Sequence, residues 1–527
     1  MGILCKTQSV CPECLRVLPA EVFEREAQVW IRKTCNEHGK FEDLYWSSYE
    51  MYRRAEKFAY EGRGVWNPNV EKENPLCPAD CGLCRLHESH TALANLVVTN
   101  RCDLNCWYCF FQAQQAGYIY EPALDQIREM IKTLRDQKPV PCNAVQLTGG
   151  EPLLRDDLLD IIRICKEEGI EYIQLNTNGV RLAQDSELVK EMGQAGVNTI
   201  YLSFDGLTPK TNQKNHWEIP QIMENCREAN IGICLVPTVI KSINDHEIGD
   251  ILRFGLENIN VVRGVNFQPV SLVGRMSGKD KERYRITIPG VIENIEEQTG
   301  GEICREDFYP VPAIKPISNL VEAFTKKPEY DLSAHFSCGM GTYVFEDNGK
   351  MLPITGFIDV EGLLEYLKEK ANEIRTGKSK YWASLKMLWK IRSFVDKNKQ
   401  PEGFGTAKLL YNVLIRHNYE ALENFHLKTL FIGMMHFMDL ANYDVERVKK
   451  CCIHYVMTDN RVIPFCAFNV IPEWYRDKDQ KSQGISFEEW EKTTGGNLRA
   501  DIYQRDKGKF ESSPIYKKVY NKYGIGR

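Results

Sequence analysis

The sequence predicts an α/β chain centred on a partial (β/α)6 TIM-like barrel, with an N-terminal metal module and a C-terminal α+β region carrying further cysteines. Three observations predict it. Between residues 95 and about 270 short apolar runs alternate with amphipathic helical stretches, the pattern of parallel βα units. Polar or glycine-rich segments follow those runs, where ligands gather in such barrels. Nineteen cysteines, several of them in tight clusters, are spaced as metal ligands.

Composition sets the outer limits. The 527 residues are 43% hydrophobic and 26% charged, enough apolar matter for a large core. A net charge of −5 argues against nucleic acid as a partner. The start, MGILCKTQSVCPEC, lacks an apolar signal region, and no apolar run approaches the roughly 18 residues that span a bilayer. A cytoplasmic location is expected, with peripheral membrane contact left open, and clustered cysteines there read as metal ligands rather than disulfides.

Residues 1–74 form the first expected unit. Cys11-Pro12-Glu13-Cys14 is a C-x2-C knuckle, with Cys5 before it and Cys35 about twenty residues on. Apolar and polar residues roughly alternate from Val22 to Ile31, consistent with a hairpin. Four thiolates so arranged make a tetrahedral site for one ion, iron in a rubredoxin-like module or zinc in a ribbon. Cys5 is favoured over His38 as the fourth ligand. The aromatic-rich residues 41 to 70 read as a packed connector.

Residues 75–94 hold Cys77, Cys81 and Cys84 in a C-x3-C-x2-C pattern, which Cys102, Cys106 and Cys109 repeat. Three thiolates on one loop can ligate three irons of a [4Fe–4S] cluster and leave the fourth iron open. The second triad follows the apolar run Leu96-Val97-Val98, so it belongs to the first barrel strand, and the first triad becomes an auxiliary cluster segment.

The barrel is expected over residues 95–275. Its strands are Leu96–Val98, Ala144–Leu147, Tyr172–Leu175, Thr199–Leu202, Gly232–Val236 and Gly264–Phe267. The second runs into Thr148-Gly149-Gly150-Glu151-Pro152, where Gly149 and Gly150 allow close backbone approach. Asn176, Ser203, Asp205 and Gln268 follow other strands, placed to bond a cofactor or substrate. Cys142, Cys165, Cys226 and Cys234 read as core.

Residues 276–527 make the last region. Cys338, Cys451 and Cys466 flank two strand–turn–strand texts and are candidates for a third cluster, with Cys452, Cys304 or His454 available to complete this set or the previous one. Residues 380 to 440 read as long helices with apolar faces, among them Trp382, Trp389, Leu427, Leu430 and Phe437. Core packing is the first reading of those faces; an apolar channel or membrane-facing surface is the second.

Residues 75–110, 117–124, 143–155, 196–206 and 261–290, with Thr287–Val311, resemble the archaeal radical SAM tetraether lipid synthases and their relatives, some of which were assigned to methylating a pterin. Leu147 and Thr148 before the Gly-Gly-Glu and the doubled Cys451-Cys452 depart from the pattern. The resemblance implies a radical S-adenosylmethionine (SAM) barrel in which Cys102, Cys106 and Cys109 hold the catalytic [4Fe–4S] cluster and Tyr108 stands beside it. The Thr148–Glu151 segment would contact SAM, Glu151 matching its ammonium. The implied reaction joins the methyl ends of two phytanyl chains after a 5′-deoxyadenosyl radical takes hydrogen from one of them. The implied cofactors are SAM, three [4Fe–4S] clusters and a mononuclear iron or zinc. The implied partners are an isoprenoid lipid and an electron donor such as a ferredoxin. The alternative is a radical SAM pterin methyltransferase, which predicts a polar, aromatic-lined pocket instead of a long apolar tunnel. No D-x-H-x-x-G cobalamin signature is present, since Asp245-His246 lacks the spacing.

Overall fold

A computed structural model describes residues 2–111, 113, 115–276, 281–401, 404–414 and 425–525. The chain opens with an antiparallel meander of four strands, β1 (Ile3–Val10), β2 (Val17–Arg25), β3 (Gln28–Cys35) and β4 (Gly39–Trp46). The expected hairpin joins β2 to β3 through Glu26 and Ala27, both left-handed at φ 54° and 58°, as a two-residue turn matched to strand twist requires.

All six expected barrel strands are present: β5 (Leu93–Thr99), β6 (Ala144–Gly149), β7 (Tyr172–Thr177), β8 (Thr199–Ser203), β9 (Gly232–Val236) and, after the two-residue β10 (Thr238–Val239), β11 (Val262–Pro269). Each lies parallel to the next in the order β5-β6-β7-β8-β9-β11. Helices such as Leu158–Glu167 and Ser186–Ala195 cover the outer face. The second starts on Asp185, whose carboxylate accepts from the Leu188 amide, and stops on Gly196 at φ 111°.

The sheet does not stop at β11. The C-terminal region contributes β12 (Tyr309–Pro310), β13 (Gly339–Asp347), β14 (Lys350–Pro353), β15 (Leu430–Met435), β16 (Ile453–Val456) and β17 (Val462–Pro464). β15 runs parallel to β11 at one side and β16 parallel to β5 at the other, while β13 and β17 turn back antiparallel. The expectation of long helices through residues 380 to 440 is therefore corrected. Lys380–Lys390 is helical, but Leu430–Met435 is a strand, because a short apolar run carries no period that separates the two. Residues 402, 403 and 415–424 of that stretch lie outside the described residues.

The core sits between sheet and helices. Along each barrel strand one alternate set is fully buried there: Leu96 and Val98, Val145 and Leu147, Ile173 and Leu175, Ile200 and Leu202, Ile233 and Leu235, Val265 and Phe267. Each such side chain stabilises the fold by about 1.5–3 kcal/mol. The other set faces the lumen, and much of it is polar. Asn95, Gln146, Gln174, Tyr201 and Asn266 stand there, whereas a parallel strand buried on both faces reads as continuously apolar.

Candidate active site

Three loops converge at the C-terminal ends of the strands. The loop after β5 carries Cys102, Cys106 and Cys109, which line one cavity together with Tyr108, Thr148, Gly149, Gly150, Asn176, Ser203 and Gln268. The two glycines answer a steric demand. A Cβ on Gly149 would stand 2.0 Å from the Thr99 carbonyl oxygen, and one on Gly150 2.0 Å from that of Arg101. The Gly150 amide donates to Thr99 O at 2.9 Å and the Glu151 amide to Arg101 O at 2.7 Å. The glycines thus let the strand-two loop lie against the cysteine loop, in addition to baring backbone to the cavity.

Glu151 and Asp205 are not on that wall. The Glu151 carboxylate, fully buried, accepts from the Leu153 amide at 3.1 Å, Thr177 Oγ1 at 2.7 Å and the Asn178 amide at 2.8 Å. Burial, then the charge of Asp103, pushes it up to about 8. It ties the strand-two loop to the strand-three loop. Asp205 accepts from the Tyr108 hydroxyl, from Lys214 Nζ at 3.2 Å and from the Thr238 amide at 3.0 Å. Although burial opposes its charge, Asp205 holds Lys214 well above the ordinary lysine range. Lys214, which no motif marks in the sequence, faces the cavity.

Arg275 fastens the cysteine loop from outside, donating to Cys106 O and Ala113 O at 3.0 Å each. Burial pushes the Cys102 and Cys106 thiols up, so ionised thiolates there call for a metal, as iron ligation supplies.

Below this cavity lies a second, of about 740 Å³, inside the barrel lumen. The two share Phe110, Asn176, Ser203, Lys214, Thr238 and Gln268. Its polar wall is a hydrogen-bonded row: Gln174 Nε2 donates to Gln146 Oε1 at 2.5 Å, and Gln146 Nε2 to Asn95 Oδ1 at 2.8 Å. Tyr201 Oη accepts from Asn266 and, at 3.0 Å, from Gln268. Apolar and aromatic side chains complete the lining, Phe431 and Met435 from β15, Tyr455 from β16 beside Asn95, and Phe465. Cys234 lines this lumen instead of packing in the core, unlike the buried Cys142, Cys165 and Cys226.

In the N-terminal meander Cys11, Cys14, Cys35 and His38 bring their ligand atoms within 4.8 Å of one another, the one such group found among the described residues. Cys35 Sγ is 3.5 Å from His38 Nδ1, and that contact is the main cause drawing its thiol down to about 6. The expectation of Cys5 as fourth ligand is corrected. Cys5 lies six positions before Cys11 along the extended β1, about 20 Å away, and its surroundings are Asp444, Glu56 and Glu446.

The remaining candidate cysteine ligands, Cys304 apart, form two sets. Cys81 is buried, and its thiol is raised first by a hydrogen bond with the Cys77 thiol, with Cys84 a further neighbour. Cys451 is raised by burial and then by Cys466, Cys452 and Cys338. Arg447, buried among them, donates from Nε to Cys338 Sγ at 3.3 Å. The buried Tyr443, with Cys77, Cys81 and Cys466 near it, has a hydroxyl with no partner among the described residues, which suits a sulfur acceptor. Cys304 lies elsewhere, by Gly301 and Asp307. Both His454 ring nitrogens are engaged, by Thr91 at 2.9 Å and His87 at 3.0 Å.

The profile of the radical SAM superfamily matches residues 96–255, and that of an HMPTM N-terminal zinc ribbon domain matches residues 3–47. The chain is 44% identical over 500 residues, 92% of its length and 97% of the relative's, to a 7,8-dihydro-6-hydroxymethylpterin dimethyltransferase of Methanocaldococcus jannaschii. The chain belongs to that dimethyltransferase family. It is also 35% identical over 226 residues, 41% of its length and 65% of the relative's, to a GTP 3′,8-cyclase of Aquifex aeolicus. Among solved structures, methylornithine synthase aligns at TM-score 0.32 and 15% identity, over 40% of this chain and 64% of that one.

The family match corrects the expectations of phytanyl coupling and of an isoprenoid lipid partner, because the relative is named for a pterin. The amide row on one wall of the lumen agrees with that correction, since such groups are costly to leave against hydrocarbon. The enzyme is a radical SAM enzyme using SAM, a [4Fe–4S] cluster and a mononuclear metal site. No helix among the described residues is long and apolar enough to cross a membrane.

Proposed function

We propose that the enzyme is a radical SAM methyltransferase acting on a pterin. The observation that carries this reading is the lumen below the cysteine loop, lined both by an amide row and by aromatic side chains. A pterin has a polar edge of ring nitrogens, amine and carbonyl, and flat aromatic faces. Asn95, Gln146, Gln174 and Asn266 match the edge, and Phe110, Tyr455 and Phe465 match the faces. The family relative, named for dimethylation of a dihydropterin, supports the same substrate class.

In this reading Cys102, Cys106 and Cys109 hold the catalytic cluster, and SAM lies against Thr148, Gly149 and Gly150 with Asn176, Ser203 and Gln268 around it. Bound SAM and cluster supply one-electron chemistry toward C–H bonds. Lys214 presents a fixed positive charge where the two cavities meet, held by Asp205. The Cys77, Cys81, Cys84 set and the Cys338, Cys451, Cys466 set, with Cys452 adjoining, hold two auxiliary clusters.

The test is anaerobic reconstitution with iron, sulfide, SAM, reductant and 7,8-dihydro-6-hydroxymethylpterin. A pterin product heavier by one or two methyl groups is expected, absent with Cys102→Ala. Release of deoxyadenosine with no methylated pterin would overturn the substrate while leaving the radical SAM assignment intact.

A further inference from the structure

The helix Lys380–Lys390 is anchored by a narrow stripe and leaves its largest side chains outside. Ala383, Met387 and, just beyond, Ile391 are buried against the cluster that includes Leu363, Leu367 and Ile374. Tyr381, Trp382 and Trp389 are 68%, 64% and 72% exposed. Three large aromatics left in water within nine residues is anomalous for a free surface. Trp382, Leu385 and Trp389 follow i, i+3, i+7 spacing, so they form one ridge.

The ridge is flanked by positive charge. Residues 378–399 hold seven lysines or arginines against one acidic residue, in a chain of net charge −5. Lys378 is paired with Glu373 at 3.0 Å and Lys399 with Asp396 at 3.9 Å. Lys386, Lys390 and Arg392 make no ion pair among the described residues, and Arg392 lies over the Trp389 ring at 5.5 Å. Indole rings beside uncompensated basic groups, on a helix far too short to span, match the interface between anionic headgroups and acyl chains.

We infer that this helix docks the enzyme on an anionic lipid surface, the Trp382–Trp389 ridge entering the headgroup region and Lys386, Lys390 and Arg392 meeting lipid phosphates. The inference is independent of the substrate reading.

The test uses the full-length protein and co-sedimentation with phosphatidylcholine vesicles, with and without phosphatidylglycerol. The expected result is binding to the anionic vesicles, a blue-shifted tryptophan emission and release at high salt. Trp382→Ser with Trp389→Ser, and separately Lys386→Glu with Lys390→Glu, are each expected to lower partitioning more than about tenfold. Wild-type thermal midpoints in both variants would show that the fold is kept, as expected for exposed positions. No binding to either vesicle, or wild-type binding by both variants, would overturn the inference. So would a concentration-dependent dimer that the tryptophan variant dissolves, which would make the ridge a contact between copies.

Discussion

Lys214, at the junction of the cysteine-lined cavity and the barrel lumen, holds its Nζ 3.2 Å from Asp205 Oδ2 behind it. Burial alone would discharge Lys214, and the carboxylate overrides it. Lys214→Met is expected to keep the fold and lower turnover about 10²-fold, measured as methyl transfer at saturating SAM. Asp205→Asn leaves a buried ammonium without its partner, a loss of about 3–5 kcal/mol. The lysine pKa should fall in that variant, so a rate profile flat near neutral pH in the wild type gains a limb there. An unchanged profile would mean that the pair does not face the reaction.

Gly150→Ala places a methyl group 2.0 Å from the Arg101 carbonyl oxygen, against backbone that cannot yield cheaply. The cysteine loop must move away from the strand-two loop. The expected outcome is loss of the Cys102, Cys106, Cys109 cluster, read as about four fewer irons per chain, with the mononuclear metal retained. Full iron content would show that the two loops are less tightly bound to each other than their hydrogen bonds indicate.

At the meander, His38→Ala should release the single metal and Cys5→Ser should keep it, checked by metal content per chain. The loss has a remote consequence. The buried Lys33 donates to Leu440 O at 2.6 Å and Ala441 O at 3.1 Å, and Thr7 Oγ1 to Asp444 at 2.6 Å. This places the meander against the segment that carries Phe437 and Tyr443. His38→Ala is accordingly expected to lower the thermal midpoint of the whole chain and not only of the meander.

Acid stability has an identifiable contributor in Asp331. Despite its burial, Arg63 and Lys315 hold its carboxyl down at about 2. Its folded value lies below its unfolded one, so its stabilisation is present above about pH 4 and is lost as pH falls toward 2. Asp331→Asn should lower the thermal midpoint at pH 7 and leave the two proteins closer together near pH 2. Parallel curves over that range would count against the assignment.

Much of the lining of the candidate site was legible from residue order. The C-x3-C-x2-C loop after β5, the Gly-Gly-Glu after β6 and Asn176, Ser203 and Gln268 at strand ends are local texts, and βα alternation fixes which end they occupy. The lumen also left a signal, the polar side chains Asn95, Gln146, Gln174, Asn176, Thr199, Tyr201, Asn266 and Gln268 interleaved with the apolar core positions of β5, β6, β7, β8 and β11. It is read only once those strands are known to enclose a cavity and not a packed core.

What the sequence alone determined is therefore the order of strands, the spacing of thiols and the elements that carry chemistry, because these depend on neighbours within a few residues. The tertiary structure decided the rest. It chose His38 over Cys5, turned Glu151 toward Thr177 and Asn178, brought Lys214 to the cavity and made β15 a strand beside β11. Each of those outcomes rests on a contact between segments distant in the chain or on which side of a strand a residue faces. Spacing along the chain carries neither, since it is packing that converts a list of side chains into directions and distances.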